Sequence, residues 1–311
     1  MAKILIMGLG ALGSVYAALM KSAGHEVHGV GLAADHINAI AVDGLRVTGA
    51  SGDRTVQLDS VSTTADGLAA DFDLIVIATK AYDVEQAALD TAPLVSRNTV
   101  VQSIQNGVGS MDLVAPHLPQ SQLCLGVVGG FGASVPEPGH AHHNGMALVR
   151  FSPYSDLPMP KVDKVVEIWR SAGFDATSLR DPSRVIWEKL IMNVAFSGPG
   201  VLNKLTIGEM MTDENAWQVS RACLLEAFAV AQALEVPIQI TDPVHHVRTL
   251  AGNIPDAKPS MLLDALRGSR GEIDVINGSV VRFGADVGVP TPANSTVVNL
   301  VKAWETPLHE A

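Results

Sequence analysis

Cysteine is scarce in this chain of 311 residues, and with it any means of covalent cross-linking. Only Cys124 and Cys223 are present, each inside an apolar run (SQLCLGVV and RACLLEAF). That placement reads as buried, reduced thiols of a cytoplasmic protein, not as a disulfide framework. No Cys/His grouping has the spacing of a zinc site. The histidines of GHAHHNG (His140, His142 and His143) read as a solvated turn, so no metal is expected. Positive charge is also in short supply: 21 Lys and Arg stand against 32 Asp and Glu, for a net charge of -11. This balance argues against nucleic acid and against an acidic membrane face as principal partners, since both require a basic patch. No unbroken apolar stretch reaches the ~20 residues that span a bilayer. The apolar N-terminus, MAKILIMGLGALG, is broken by glycines and does not read as a signal peptide. Internal repeats, low-complexity tracts and flexible linkers are missing as well. What remains is an ordinary soluble composition, long enough for two domains with their own cores. An acidic protein that binds a small anion must concentrate a few cations locally, so individual lysines and arginines carry the interest.

The first half of the chain alternates short apolar runs with helical patterns. KILIM (Lys3–Met7), EVHGV (Glu26–Val30), LIVIA (Leu74–Ala78), TVVQSI (Thr99–Ile104) and Leu123–Val128 have the length and branching of strands buried on both faces. Shorter strands are expected at Leu45–Val47 and Thr55–Leu58. Helices are expected at Ser14–Ser22, Val84–Ala92 and Val162–Ser171, with a last strand at Phe174–Ser178. Residues 131–151 read as an antiparallel hairpin. The fold class is α/β: a doubly wound parallel sheet over 1–180. Strand signals nearly vanish beyond it. Val185–Phe196, Ala216–Leu234, Val244–Leu250, Met261–Leu266, Ile273–Val287 and Asn294–Glu305 suit helices. Breakers are expected at Gly198, Pro199, Gly200 and the later prolines. Residues 181–311 therefore read as an all-helical substrate and dimerisation domain, with the apolar run Leu224–Leu234 as the argument for a homodimer.

Gly8-Leu9-Gly10-Ala11-Leu12-Gly13 fits G-x-G-x-x-G between an expected strand and an expected helix, the context that gives this motif its meaning. Gly8 permits the tight turn, Gly10 lets backbone approach a pyrophosphate, and Gly13 lets the helix pack on the sheet. The helix N-terminus adds amides and positive potential. This is a Rossmann-type dinucleotide loop. The choice between nicotinamides is normally made at the end of strand two, by an acid for NAD or a cation for NADP. Here Val30-Gly31-Leu32-Ala33 offers neither, and Asp35 reads as the cap of the next helix.

Further segments, taken together with the loop, resemble the ketopantoate reductase family. They are Thr79-Lys80-Ala81-Tyr82, Gln105-Asn106-Gly107-Val108-Gly109, Trp187-Glu188-Lys189-Leu190 through Asn193, and Pro259-Ser260-Met261 with Asp264, Glu272-Ile273-Asp274 and Asn277-Gly278. They span residues 8–278 in the family's order. The resemblance implies a metal-free reaction in which hydride passes from NADPH to the C2 carbonyl of ketopantoate, giving pantoate on the route to coenzyme A, with the cofactor held between the domains.

It also implies residue roles. Spacing alone would make Lys189 a solvated lysine on an amphipathic helix. The matched motif makes it the general acid, an ammonium that stabilises charge on the carbonyl oxygen and supplies the proton. Glu272 is implied as the carboxylate partner of that lysine or its water, contributing to catalysis and to the cofactor site. Asn193, one turn after Lys189, and Ser260 are implied on the substrate, although Ser260 also suits a helix N-cap. Asn106 is implied near the substrate and the nicotinamide, and Lys80 near the adenosine ribose or its phosphate. The dinucleotide loop supplies Gly8, Leu9, Gly10, Ala11, Leu12 and Gly13.

Three departures from the family pattern bear on substrate and cofactor. Leu32 stands at the end of strand two where NADPH-using relatives carry an arginine, which keeps NAD(H) open beside NADP(H). Ser197 replaces the second asparagine of the lysine helix, and Ala257 stands where some relatives have an asparagine. An NAD(H)-dependent dehydrogenase of another 2-keto or 2-hydroxy acid is the first alternative. A non-catalytic dinucleotide sensor is the second.

Overall fold

The computed structural model describes residues 1–130, 132–145 and 148–309, with side chains described up to Glu305. Phe131, Met146 and Ala147, which fall within the expected hairpin segment, lie outside the described residues. The chain forms two compact units, one of residues 1–105 and 110–182, the other of residues 106–109 and 183–311.

The first unit opens with strand β1 (Lys3–Met7), helix α1 (Ala11–Ser22), β2 (Glu26–Val30) and α2 (Ala34–Asp43). Then follow β3 (Leu45–Gly49), β4 (Arg54–Val56), β5 (Ser60–Ser62), β6 (Leu74–Ile77), α3 (Val84–Thr91), β7 (Val100–Ser103) and α4 (Ser110–Val114). It closes with β8 (Leu123–Val128), β9 (Gly132–Glu137), β10 (His140–Gly145), β11 (Leu148–Pro153), α5 (Met159–Ser171) and β12 (Asp175–Ser178). Eight strands form one sheet in the order β12-β11-β8-β7-β6-β1-β2-β5. All neighbours are parallel except β11 against β8. The central strands alternate between two apolar layers. Ile4, Ile6, Leu74 and Val76 face one cluster with α1 and α5, while Leu5, Met7, Ile75 and Ile77 face the other with α3. This two-sided burial is why those strands read as continuous hydrophobic runs. Trp169 of α5 anchors the first layer. It stacks edge-on with Tyr16 at 4.9 Å and Phe174 at 4.7 Å, and donates its indole N–H to Gln102 at 2.9 Å.

A second sheet, β4-β3-β10-β9, was not expected. The hairpin formed by β9 and β10 pairs β10 in parallel with β3, whose partner residues lie far away in sequence. This sheet packs over α1, so residues 13–20 of that helix are buried throughout. Asp35 does not cap α2; Ala33 holds the cap position, and Asp35 is exposed in the first turn.

The second unit is helical: α6 (Ser183–Asn203), α7 (Ile207–Thr212), α8 (Glu214–Ala233), α9 (Pro243–Ala251), α10 (Ser260–Leu266), α11 (Asn277–Val287) and α12 (Pro292–His309). The expected break at Gly198-Pro199-Gly200 does not occur, and α6 runs through it. The glycines there serve packing. A Cβ on Gly198 would strike Val297 of α12 and Asn277, and one on Gly200 would lie 3.0 Å from Pro259. Close approach of neighbours offsets the helix bond that Pro199 removes. The expected helix over 273–287 begins only at Asn277, which leaves Glu272 in a turn whose carbonyl accepts from Val275 N and Ile276 N. Leu224, Ala227, Val230 and Ala231 of α8 are buried within this unit. No helix among the described residues is long and apolar enough to cross a membrane.

Asn277, fully buried, donates to Val194 O at 3.0 Å and Asn294 Oδ1 at 2.9 Å. Asn294 in turn donates to Cys223 O and Glu226, and Glu226 accepts from the first amides of α12. Four helices thus share one buried polar network. Asn277→Ala deletes both bonds and leaves the buried Asn294 Oδ1 without its donor, so it is expected to lower stability by about 2 kcal/mol. Urea denaturation followed by circular dichroism checks this; an unchanged midpoint would mean the network adds nothing.

Candidate active site

In the first unit β1 ends in a turn at Gly8, whose φ of +111° favours glycine. The Gly8 and Leu9 amides donate to Val30 O at 2.8 and 2.9 Å, fixing the loop to the end of β2. A Cβ on Gly8 would lie 2.6 Å from Thr79 N, and one on Gly13 would collide with Gly8 O, so both glycines serve close approach. Gly10 differs. It is exposed, and nothing lies within 4 Å of where its Cβ would be. Ala11, Leu12 and Gly13 form the first turn of α1, where no carbonyl one turn back accepts their amides. A dinucleotide pyrophosphate fits here: open space over Gly10 and a helix N-terminus aimed at it. Leu9 can offer a ligand only its backbone, because its side chain is buried against Gly29 and Gly31 of β2.

Lys80 follows β6, half-buried at the head of a short turn, Ala81–Asp83. Two neighbours, Gln105 and Thr79, belong to the matched segments but carried no expected role. Gln105 donates to Ile77 O at 2.8 Å and Thr79 O at 3.1 Å and accepts from Ser103, so it ties the ends of β6 and β7 together. Thr79 Oγ1 is buried beside Gly8 with no protein partner among the described residues. A polar residue directly after a buried strand was the available signal for both.

In the second unit three residues meet. Lys189 Nζ donates to Asn106 Oδ1 at 2.8 Å, and Asn106 Nδ2 donates to Glu272 Oε2 at 3.2 Å. One amide, its orientation set by both bonds, bridges ammonium and carboxylate. Trp187, two residues before Lys189 on α6, is buried and meets Phe283 edge-on with ring centroids 5.7 Å apart. Gly107, with φ of +78°, lies against Val275 O, which also accepts from Val108 N at 2.9 Å, so the Asn106–Gly109 segment is seated on the turn that carries Glu272. Burial lowers the Lys189 pKa to about 8, and the Glu272 charge opposes that fall. An ammonium near its pKa at neutral pH gives up a proton readily and regains it from water.

Asn193 lies one turn beyond Lys189 on α6, half-buried. Ser260 is exposed at the first position of α10, which packs on α6. The cap position belongs to Pro259, so the N-cap role expected for Ser260 is not taken. Neither Asn193 nor Ser260 bonds to the Lys189–Asn106–Glu272 group among the described residues. His140 and His142 both lie 2.9 Å from Thr48 Oγ1 across β10 and β3, a strand-to-strand contact and not a solvated turn. No group of three or more His, Cys, Asp or Glu is placed to hold a metal among the described residues.

A glycine loop at a strand-to-helix turn and an amide-bridged lysine and glutamate define a dinucleotide-dependent oxidoreductase. Comparison with known proteins agrees in detail. Residues 4–156 match the family model for ketopantoate reductase, and residues 181–305 match that for its C-terminal part. A 2-dehydropantoate 2-reductase of Archaeoglobus fulgidus is 31% identical, covering 98% of this chain and 99% of that one. One of Halobacterium salinarum is 27% identical over 96% and 98% of the two chains. The solved structure of a family ketopantoate reductase from Ralstonia eutropha superposes with a TM-score of 0.89 at 31% identity, covering 99% of each chain. D-mandelate dehydrogenase in complex with NADH and anilino(oxo)acetate shares the fold, with a TM-score of 0.90 at 24% identity and 99% coverage of each. The chain belongs to the ketopantoate reductase family, whose members depend on NAD(P)H.

Proposed function

We propose that this protein reduces the C2 keto group of ketopantoate to a hydroxyl, with Lys189 as the general acid. The observation that carries the reading is the Lys189–Asn106–Glu272 bridge, supported by near-full-length similarity to 2-dehydropantoate 2-reductases. The bound nicotinamide supplies the hydride. The Lys189 ammonium stabilises negative charge on the carbonyl oxygen and gives it a proton, and the neutral amine recovers one from solvent. Asn106 holds the ammonium in place, and Glu272 keeps it protonated. Asn193 and Ser260 address the substrate's polar groups. The glycine loop holds the pyrophosphate, with Lys80 on the adenosine side.

Cofactor preference is the finer part of the proposal. Leu32 is 80% exposed at the end of β2 and supplies no charge of its own to clamp a 2′-phosphate, which leaves Lys80 as the candidate cation. The discrimination between NADPH and NADH is therefore small, within about tenfold. Leu32→Arg is expected to raise the preference for NADPH by about tenfold or more. The test is a steady-state panel of 2-keto acids with both cofactors, run on the wild type and this variant. Ketopantoate as the preferred substrate supports the reading. A better substrate among other 2-keto acids, with NADH favoured, would replace it with a dehydrogenase of that acid, the reading that Leu32 and the buried Ser197 favour.

A further inference from the structure

We propose that His36 is a positioning residue for dinucleotide binding, a buried imidazole that holds the first turn of α1 to the turn of the β9–β10 hairpin. The inference rests on the reading that the glycine loop takes the cofactor pyrophosphate.

His36 sits in the first turn of α2 and is 5% exposed. Its Nε2 lies 3.0 Å from Ser14 Oγ, which is fully buried in the first turn of α1 directly after Gly13. Its Nδ1 accepts from Gly139 N, also at 3.0 Å, in the hairpin turn. A backbone amide can only donate, so Nδ1 carries no proton. The imidazole is then the neutral Nε2–H tautomer and donates to Ser14. Burial lowers the His36 pKa and supports the neutral form. The hairpin side of this joint is itself fixed. Gly139 O accepts from Arg46 N of β3 at 2.9 Å, and Gly139, with φ of +77°, packs so close to Ala39 of α2 that a Cβ would lie 3.0 Å from it.

The consequence lies in what each element carries. The first turn of α1 aims the Ala11, Leu12 and Gly13 amides, and α2 begins directly after Leu32, at the strand end where Rossmann-type folds meet the adenosine ribose. Nothing covalent sets the axial position of one helix against the other. A single imidazole, bonded at both nitrogens, indexes the two cofactor-facing helix starts against the second sheet. Apolar packing tolerates small slides, whereas two directed hydrogen bonds do not. The histidine never touches the cofactor and acts only through the loop.

The test measures NADPH and NADH affinity and steady-state constants for His36→Leu, which keeps apolar bulk and deletes both bonds, and for Ser14→Ala. Both variants are expected to raise the KM and Kd for dinucleotide, by about tenfold in His36→Leu, with kcat and the keto-acid KM within about twofold of wild type. His36→Gln, whose amide reaches Ser14 as Nε2 does, is expected to recover most of the affinity, and the double variant to be no weaker than the worse single one. A drop in melting temperature with unchanged dinucleotide KM, or additive effects of the two substitutions, would overturn the proposal and leave a purely structural histidine. Should His36→Leu fail to fold, Ser14→Ala decides alone by the same split. Wild-type protein that binds neither dinucleotide would sink the reading beneath it, whereas wild-type binding matched by His36→Leu sinks this inference only.

Discussion

Lys189→Ala is expected to lower kcat for keto-acid reduction by about 10²- to 10⁴-fold, the range a positioned general acid supplies. Dinucleotide affinity should survive, because the glycine loop and α1 belong to the other compact unit. The size of the effect follows from the double duty of the ammonium. It balances charge that grows on the carbonyl oxygen and delivers the proton that neutralises it, and in a desolvated setting neither task passes easily to water. Lys189→Met keeps most of the aliphatic stem and separates loss of charge from loss of packing. Fluorescence titration with NADPH and single-turnover rates make the comparison. A well-folded variant that lost the cofactor yet turned over normally per bound molecule would remove Lys189 from the chemistry.

Glu272→Gln is the second large effect, and its signature is a displaced pH profile. Burial pulls the Lys189 pKa down to about 8, and the Glu272 charge holds it up. Reduction needs the protonated amine, so kcat/KM in that direction falls as pH rises through about 8. Hydroxy-acid oxidation needs the neutral amine and rises over the same interval. Removing the carboxylate charge leaves desolvation unopposed. The alkaline limb of reduction then moves to lower pH by about one unit, so turnover drops about twofold at pH 7 and approaches a loss of about tenfold above pH 8. Glutamine still accepts from Asn106 Nδ2, so the bridge geometry survives while the charge is lost. An unmoved limb would show that the titrating group is not Lys189 under the influence of Glu272.

The residues that carry these predictions were nameable from the chain alone, but their arrangement was not. Lys189, Asn106 and Glu272 stood in separate motifs, and only the resemblance joined them. The hydrogen-bond chain through the Asn106 amide came from folding, since no local pattern specifies which polar side chains of a helix, a loop and a turn will meet. Ser14 and His36 carried no signal at all: a serine in a glycine-rich loop and a histidine on a short helix are commonplace, and their partnership with Gly139 exists only once the second sheet folds over α1.

The sequence by itself determined the buried strands of the first unit, the glycine turn and the helical character of the second half. Each of these is governed by local physics: two-sided burial of short branched runs, a positive φ at Gly8, and helical periodicity. Tertiary structure decided the pairing of β10 with β3, the passage of α6 through Gly198-Pro199-Gly200 and the turn that carries Glu272. In each case a distant segment settled the outcome. Strand pairing is chosen among remote edges, and the glycines of α6 answer to Val297, Asn277 and Pro259, residues whose closeness no neighbouring sequence encodes.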